Sequence, residues 1–75
     1  MELKVKRTDG TTITLDVSVS DTILNLKQQI RDMTGIEIDR QRLVFSGGNL
    51  EDHRSIYDYG IQMQSTVHLI VKVSA

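Results

Sequence analysis

The sequence predicts an α+β domain in which a mixed sheet of four to five strands packs on one main helix. Three observations carry that prediction. Asp21 to Ile36 shows helical apolar spacing with signals at both ends, the segments on either side alternate apolar and polar residues as strands do, and Asp9-Gly10 separates two of those segments with hairpin chemistry. The strands need an apolar surface to bury against, and this helix is the one stretch long enough to cover them.

Met1, Leu3 and Val5 alternate with Glu2, Lys4 and Lys6, the period of a half-buried first strand. Arg7-Thr8-Asp9-Gly10 interrupts it, and both Asp9 and Gly10 tolerate positive φ. Ile13, Leu15 and Val17 then point inward from a second strand that completes a β-hairpin. In the helix, Ile23, Leu26, Lys27 and Ile30 fall at i, i+3, i+4 and i+7, with Lys27 at the margin of the apolar face. Thr22 is the expected N-cap, Asp21 complements the helix dipole, and Gly35 with Ile36 is expected to close the helix in a Schellman pattern. Glu37 to Arg40 reads as an irregular link. Gln41 to Phe45 is a third strand with Gln41, Leu43 and Phe45 on one face and Arg42 and Val44 on the other. Ser46-Gly47-Gly48-Asn49 reads as a tight turn, with Leu50 opening a very short return strand. Ser55 to Asp58 resembles a capping box before a single helical turn. Thr66 to Val73 is the last strand, with Val67, Leu69 and Val71 on one face and Thr66, His68, Ile70 and Lys72 on the other.

The 75 residues amount to one domain near the lower size limit for independent folding. No cysteine is present, so neither a disulfide nor a thiolate metal site supplements the core. The 39% apolar fraction is sufficient, and with only Phe45, Tyr57 and Tyr59 as aromatics the core is aliphatic. No apolar run approaches the roughly 20 residues of a membrane span. Met1 leads directly into an alternating strand rather than an export signal, which fits the cytoplasm or nucleus. A net charge of −1 argues against nucleic acid as the main partner.

The chain resembles the ubiquitin family. Thr12-Ile13-Thr14-Leu15, Ser20-Asp21-Thr22-Ile23, Gly35-Ile36, Gln41-Arg42-Leu43-Val44-Phe45, Leu50-Glu51-Asp52, Asp58-Tyr59 and Ser65-Thr66-Val67-His68-Leu69 carry the resemblance. They follow the family's order and spacing from Met1 to about Lys72 without an insertion. The resemblance implies the β-grasp fold, in agreement with the reading from periodicity. It fails where the conjugating members of the family keep their covalent chemistry. Those proteins close with an Arg-rich tail and Gly-Gly, whereas this tail reads Lys72-Val73-Ser74-Ala75, and Gly47-Gly48 lies within an expected turn. Thr11, Gln29, Met33, Gly48 and Met63 stand at positions of chain-building lysines, leaving Lys6 and Lys27. Glu37 and Ile38 replace frequent prolines, and Thr8 replaces a leucine. The expectation is a ubiquitin-like domain, residues 1–75, that is not itself a modifier. Such domains usually sit within larger proteins, which leaves open that the chain is an excised piece.

Alternation places Val44, His68 and Ile70 on the sheet face opposite the helix, and the resemblance identifies them with the family's main recognition patch. Apolar groups on neighbouring strands with a cationic rim make a compact adhesive surface. Lys6, Arg42 and Lys72 form the rim, with Gly47 and Thr8 in the flanking turns. Ile36, Val71 and Val73 are candidates for a smaller second patch, although closing the helix is reason enough for Ile36. His68 and His53 fall in different segments without cysteine, so no metal site or catalytic constellation is expected, and no cofactor. Lys27 is expected to pair with a carboxylate such as Asp52, Gln41 to bond backbone from within the core, and Tyr59 to bond a loop backbone. The expected function is non-covalent, non-enzymatic protein binding by a monomer. Its expected partners are helical ubiquitin-binding domains, proteasome subunits or receptors, or ubiquitin-pathway enzymes, with no nucleic acid or membrane. The alternatives are a covalent modifier or sulfur carrier whose Gly-Gly is absent from this chain, or an intramolecular regulator of an attached enzyme.

Overall fold

The computed structural model describes residues 1–62 and 65–72. Its order is β1 (Glu2–Arg7), β2 (Thr12–Asp16), α1 (Ile23–Thr34), a 3-10 turn (Ile38–Arg40), β3 (Gln41–Phe45), β4 (Gly48–Asn49), a second 3-10 turn (Tyr57–Tyr59) and β5 (Thr66–Val71). The sheet has five strands in the order β2-β1-β5-β3-β4. β5 lies at its centre, parallel to β1 and antiparallel to β3. This is the expected grasp of a mixed sheet around one helix.

The first hairpin matches the alternation residue for residue, with Leu3 facing Leu15 and Val5 facing Ile13. Its turn places only Gly10 at positive φ, 92°, and Asp9 acts instead through its side chain, which accepts the Thr11 N–H at 2.9 Å. The inward residues of the strands meet Ile23, Leu26 and Ile30 of α1 in a core completed by Leu50, Ile56 and Ile61.

Helix α1 is shorter than Asp21 to Ile36, and its ends show why. The Thr22 hydroxyl accepts the Asn25 N–H at 3.2 Å, fixing Thr22 as the N-cap. Asp21 lies outside, where its carboxylate accepts the Ser18 N–H at 2.9 Å. The loop below supplies the other acceptors of the first turn: Ile23 N–H donates to the Arg54 carbonyl at 2.9 Å and Leu24 N–H to the Asp52 carbonyl at 3.1 Å. At the other end Gly35 takes φ 78° and donates to the Arg31 carbonyl at 2.7 Å. That single bond is the simpler left-handed cap rather than the Schellman pattern, because the Ile36 N–H donates to the Thr34 hydroxyl at 3.3 Å.

Three further expectations are corrected. The link before β3 contains a 3-10 turn, closed by Arg40 N–H donating to the Glu37 carbonyl at 3.0 Å. The return strand is Gly48–Asn49 and not Leu50 onward, since Ser46 and Gly47 at φ 54° and 81° form a two-residue hairpin turn. Leu50 follows the strand and enters the core. Phe45 and Val71 lie at the last positions of β3 and β5, where coverage thins, and both are half-buried rather than fully inward.

Candidate functional site

The outer face of β1, β5 and β3 brings together residues far apart in the chain. His68 stands between Lys6 of β1 and Val44 of β3, and Ile70 pairs with Arg42. Ile70 is 39% exposed, His68 is exposed and Val44 is half-buried, so the three form a contiguous surface on the side away from α1. The registers expected for β3 and β5 are those observed. A slip of one residue would have buried these side chains and exposed Leu43 and Leu69, which are 1% and 0% exposed.

The cationic rim is built by the same strands. Arg42 is oriented by Asn49, whose Oδ1 accepts its Nε–H at 2.8 Å across the β3–β4 hairpin. Lys72 is anchored by its backbone, its N–H donating to the Arg40 carbonyl at 2.7 Å while Arg40 Nε donates to the Lys72 carbonyl at 3.2 Å. Arg40 therefore joins this edge although by sequence it belongs to a link, and Asn49 by sequence is only a turn residue. Both assignments require knowing which strands are neighbours. Among the described residues no ion pair engages Lys6, Arg42 or Lys72, so these charges remain available. Thr8 is exposed in the β1–β2 turn, towards the C-terminal end of β5, and Gly47 lies in the β3–β4 turn towards its start.

The second group is only partly brought together. Ile36 and Val71 are both half-buried near Gln41, which donates to the Ile36 carbonyl at 3.0 Å and pairs with Val71 across β3–β5. Val73 lies outside the described residues. The inward polar residues follow the expected pattern: Lys27 Nζ lies 2.6 Å from Asp52 Oδ1, Gln41 Nε2 also donates to the Lys27 carbonyl at 2.9 Å, and the Tyr59 hydroxyl accepts the Glu51 N–H at 2.7 Å. On the opposite edge, Tyr57 and Val19 are 76% and 50% exposed and adjacent, with Tyr57 N–H donating to the Val19 carbonyl at 3.0 Å. Periodicity does not reveal this pair, because it is made by a loop and the second 3-10 turn.

Among the described residues, no group of three or more His, Cys, Asp or Glu side chains could hold a metal, and no helix is long and apolar enough to cross a membrane. His53 stands beside Glu51 at 3.9 Å, separate from His68. The side chains of the outer face can supply apolar contact, positive charge and an imidazole, which is the chemistry of docking.

Comparison with known proteins agrees with this fold. The ubiquitin family model matches residues 3–74. The chain is 32% identical over 71 residues to the ubiquitin-like protein NEDD8 of Dictyostelium discoideum, covering 95% of this chain and 92% of that one. It is 42% identical over 69 residues to 2'-5'-oligoadenylate synthase-like protein 1 of Mus musculus, covering 92% of this chain but 14% of that protein. With ubiquitin-like protein 4A of Rattus norvegicus it shares 33% over 72 residues, covering 96% of this chain and 46% of that protein. Relatives thus include short proteins matched almost end to end and longer ones in which the matched region is a fraction. With the family pattern running through nearly every described element, the chain belongs to the ubiquitin family.

Proposed function

We propose that this chain is a non-covalent, non-enzymatic docking module of the ubiquitin–proteasome system, acting in the cytoplasm or nucleus. It presents Val44, His68 and Ile70 to helical ubiquitin-binding elements or proteasomal receptors. The observation that carries the reading is the adjacency of these residues on β3 and β5, beside Lys6 of β1 and Arg42, cations that no ion pair among the described residues engages. An apolar centre supplies contact energy, and the rim selects partners with acidic flanks and speeds their approach. A patch of this size fits a transient interface of less than ~1,200 Å². The longer relatives are consistent with a domain working beside other domains, on other proteins or on its own polypeptide.

Titration with an isolated helical ubiquitin-binding domain, followed through backbone amide shifts, tests this. The shifts are expected to centre on Val44, His68 and Ile70. Val44→Ala and His68→Ala should each weaken binding, the former by about 1–2 kcal/mol at ~25 cal/mol per Å² of lost apolar burial. Shifts centred on Gln28 and Asp32 of α1, or an absence of binding to every such domain, would refute the proposal. Formation of a reducible thioester with an activating enzyme would instead favour a covalent modifier, the role suggested by the likeness to NEDD8.

A further inference from the structure

β4 is only two residues long and pairs with Val44 and Phe45 alone. The side of β3 beside Gln41 and Leu43 is therefore left to the chain that follows β4, where Leu50 N–H donates to the Leu43 carbonyl at 2.9 Å. An open pocket of about 380 Å³ lies at this place, reaching Lys27 of α1 on one side and Lys72 on the other. Leu43 and Leu50 give it an apolar wall, Gln41 and Asn49 contribute amides, and Arg42 joins the two lysines as a third cation.

Among the described residues no carboxylate lines this pocket. The nearest, Asp52, is committed to Lys27, whose Nζ lies 2.6 Å from its Oδ1. Arg42 and Lys72 enter no ion pair among the described residues, so two positive charges stand uncompensated at the mouth. Arg42 spends its Nε–H on Asn49 Oδ1 at 2.8 Å, which leaves its Nη groups and the Asn49 amide nitrogen as free donors among the described residues. Gln41 has the opposite need. It is 1% exposed and its Nε2 donates to the Lys27 and Ile36 carbonyls, but its Oε1 is buried with no partner among the described residues. Buried polar atoms are nearly always satisfied, so an orphaned acceptor on a residue that lines a pocket marks a place for a donor.

We propose that this pocket binds a small phosphate monoester that carries a hydroxyl group. The phosphate sits between Arg42 and Lys72, where its nearly double negative charge matches the two uncompensated cations and the guanidinium fork meets two of its oxygens. The hydroxyl donates to Gln41 Oε1, and the carbon chain between them rests on Leu43 and Leu50. The volume lies at the lower end of the ~300–1,000 Å³ usual for small-molecule sites, which suits a sugar-sized ester rather than a nucleotide. Arg42 and Lys72 also rim the outer face, but the buried Gln41, Leu43 and Leu50 do not, so occupancy of the pocket is read without any docking partner.

The probe is glycerol 3-phosphate, titrated into the isotopically labelled chain at constant ionic strength, with methyl phosphate, inorganic phosphate and glycerol as comparisons. The expected result is a saturable shift of the backbone amides of Gln41, Arg42, Asn49 and Leu50 and of the Gln41 side-chain amide. Methyl phosphate, which has no hydroxyl for Oε1, should bind about threefold or more weakly, and glycerol should not bind. Arg42→Gln and Lys72→Gln, both on exposed side chains that the core does not use, should each lower the affinity by about fivefold or more. Lys4→Gln removes an exposed cation of β1 outside the pocket and should bind as the parent does. A response that never saturates, shifts spread over every exposed cation, or an equal loss in Lys4→Gln would each overturn the proposal by reducing it to general charge attraction. Equal binding of methyl phosphate or of inorganic phosphate would overturn it too, since the orphaned Gln41 oxygen would then have no part in recognition.

Discussion

Lys27 and Gln41 are the buried polar residues of the described structure, and each is explained by what it holds. Gln41 ties the end of α1 to the chain leaving it, donating to the carbonyls of Lys27 and Ile36. Lys27 packs its stem on the apolar face of α1 and brings its ammonium to Asp52, in the loop that also caps the helix's first turn. The two partners are not equivalent. The Lys27 side chain is 11% exposed and that of Asp52 48%, so removing Asp52 strands an ammonium with little water, whereas removing Lys27 leaves a solvated carboxylate. Asp52→Ala is therefore expected to cost about 1–3 kcal/mol, and adding Lys27→Met should recover part of that loss. Urea unfolding of the two single variants and the double variant measures the coupling. A double variant whose loss is the plain sum of the singles would show that the pair contributes nothing.

Among the elements, the second 3-10 turn carries an acid-sensitive cap. Ser55 and Asp58 cap it reciprocally: Ser55 N–H donates to the Asp58 carboxylate at 3.0 Å, and Asp58 N–H donates to the Ser55 hydroxyl at 3.1 Å. The bond from the Ser55 backbone, chiefly, holds the Asp58 carboxyl below its ordinary value of 3.8, with Arg54 contributing. Because the folded value is the lower one, the stabilisation is present above about pH 4 and is lost as pH falls through the folded value. Asp58→Asn should flatten the dependence of melting temperature on pH in that acid window and leave it unchanged near neutrality. An unaltered acid limb would remove Asp58 from the account. This capping box was legible from Ser55-Ile56-Tyr57-Asp58, as were the hairpin, the helix face and the inward and outward faces of the strands, since each depends on residues close in sequence. What was illegible depended on competition for one partner. The Thr34 hydroxyl takes the N–H a Schellman cap would use, and a two-residue turn at Ser46-Gly47 moves the return strand ahead of Leu50.

At the scale of the molecule, the sheet order explains both the site and the limits of reading it from alternation. Alternation says that Val44, His68 and Ile70 face outward but not that they touch, and family resemblance was needed to join them. Their contact follows from β5, last in the chain, entering between β1 and β3. The same strand divides its duties residue by residue. Leu69 faces α1 and is fully buried, while Ile70 points outward beside Arg42 and is 39% exposed. Leu69→Ala should cost about 2–5 kcal/mol of stability as a core truncation, with the affinity of the molecules that remain folded largely retained. Ile70→Ala should do the reverse, lowering affinity for a helical ubiquitin-binding domain by about 1–2 kcal/mol with little change in melting temperature. Melting curves and binding isotherms on the two variants separate these effects, provided binding is measured well below the Leu69→Ala transition. If Ile70→Ala proved as destabilising as its neighbour, the outer face would be part of the core rather than a surface kept for a partner.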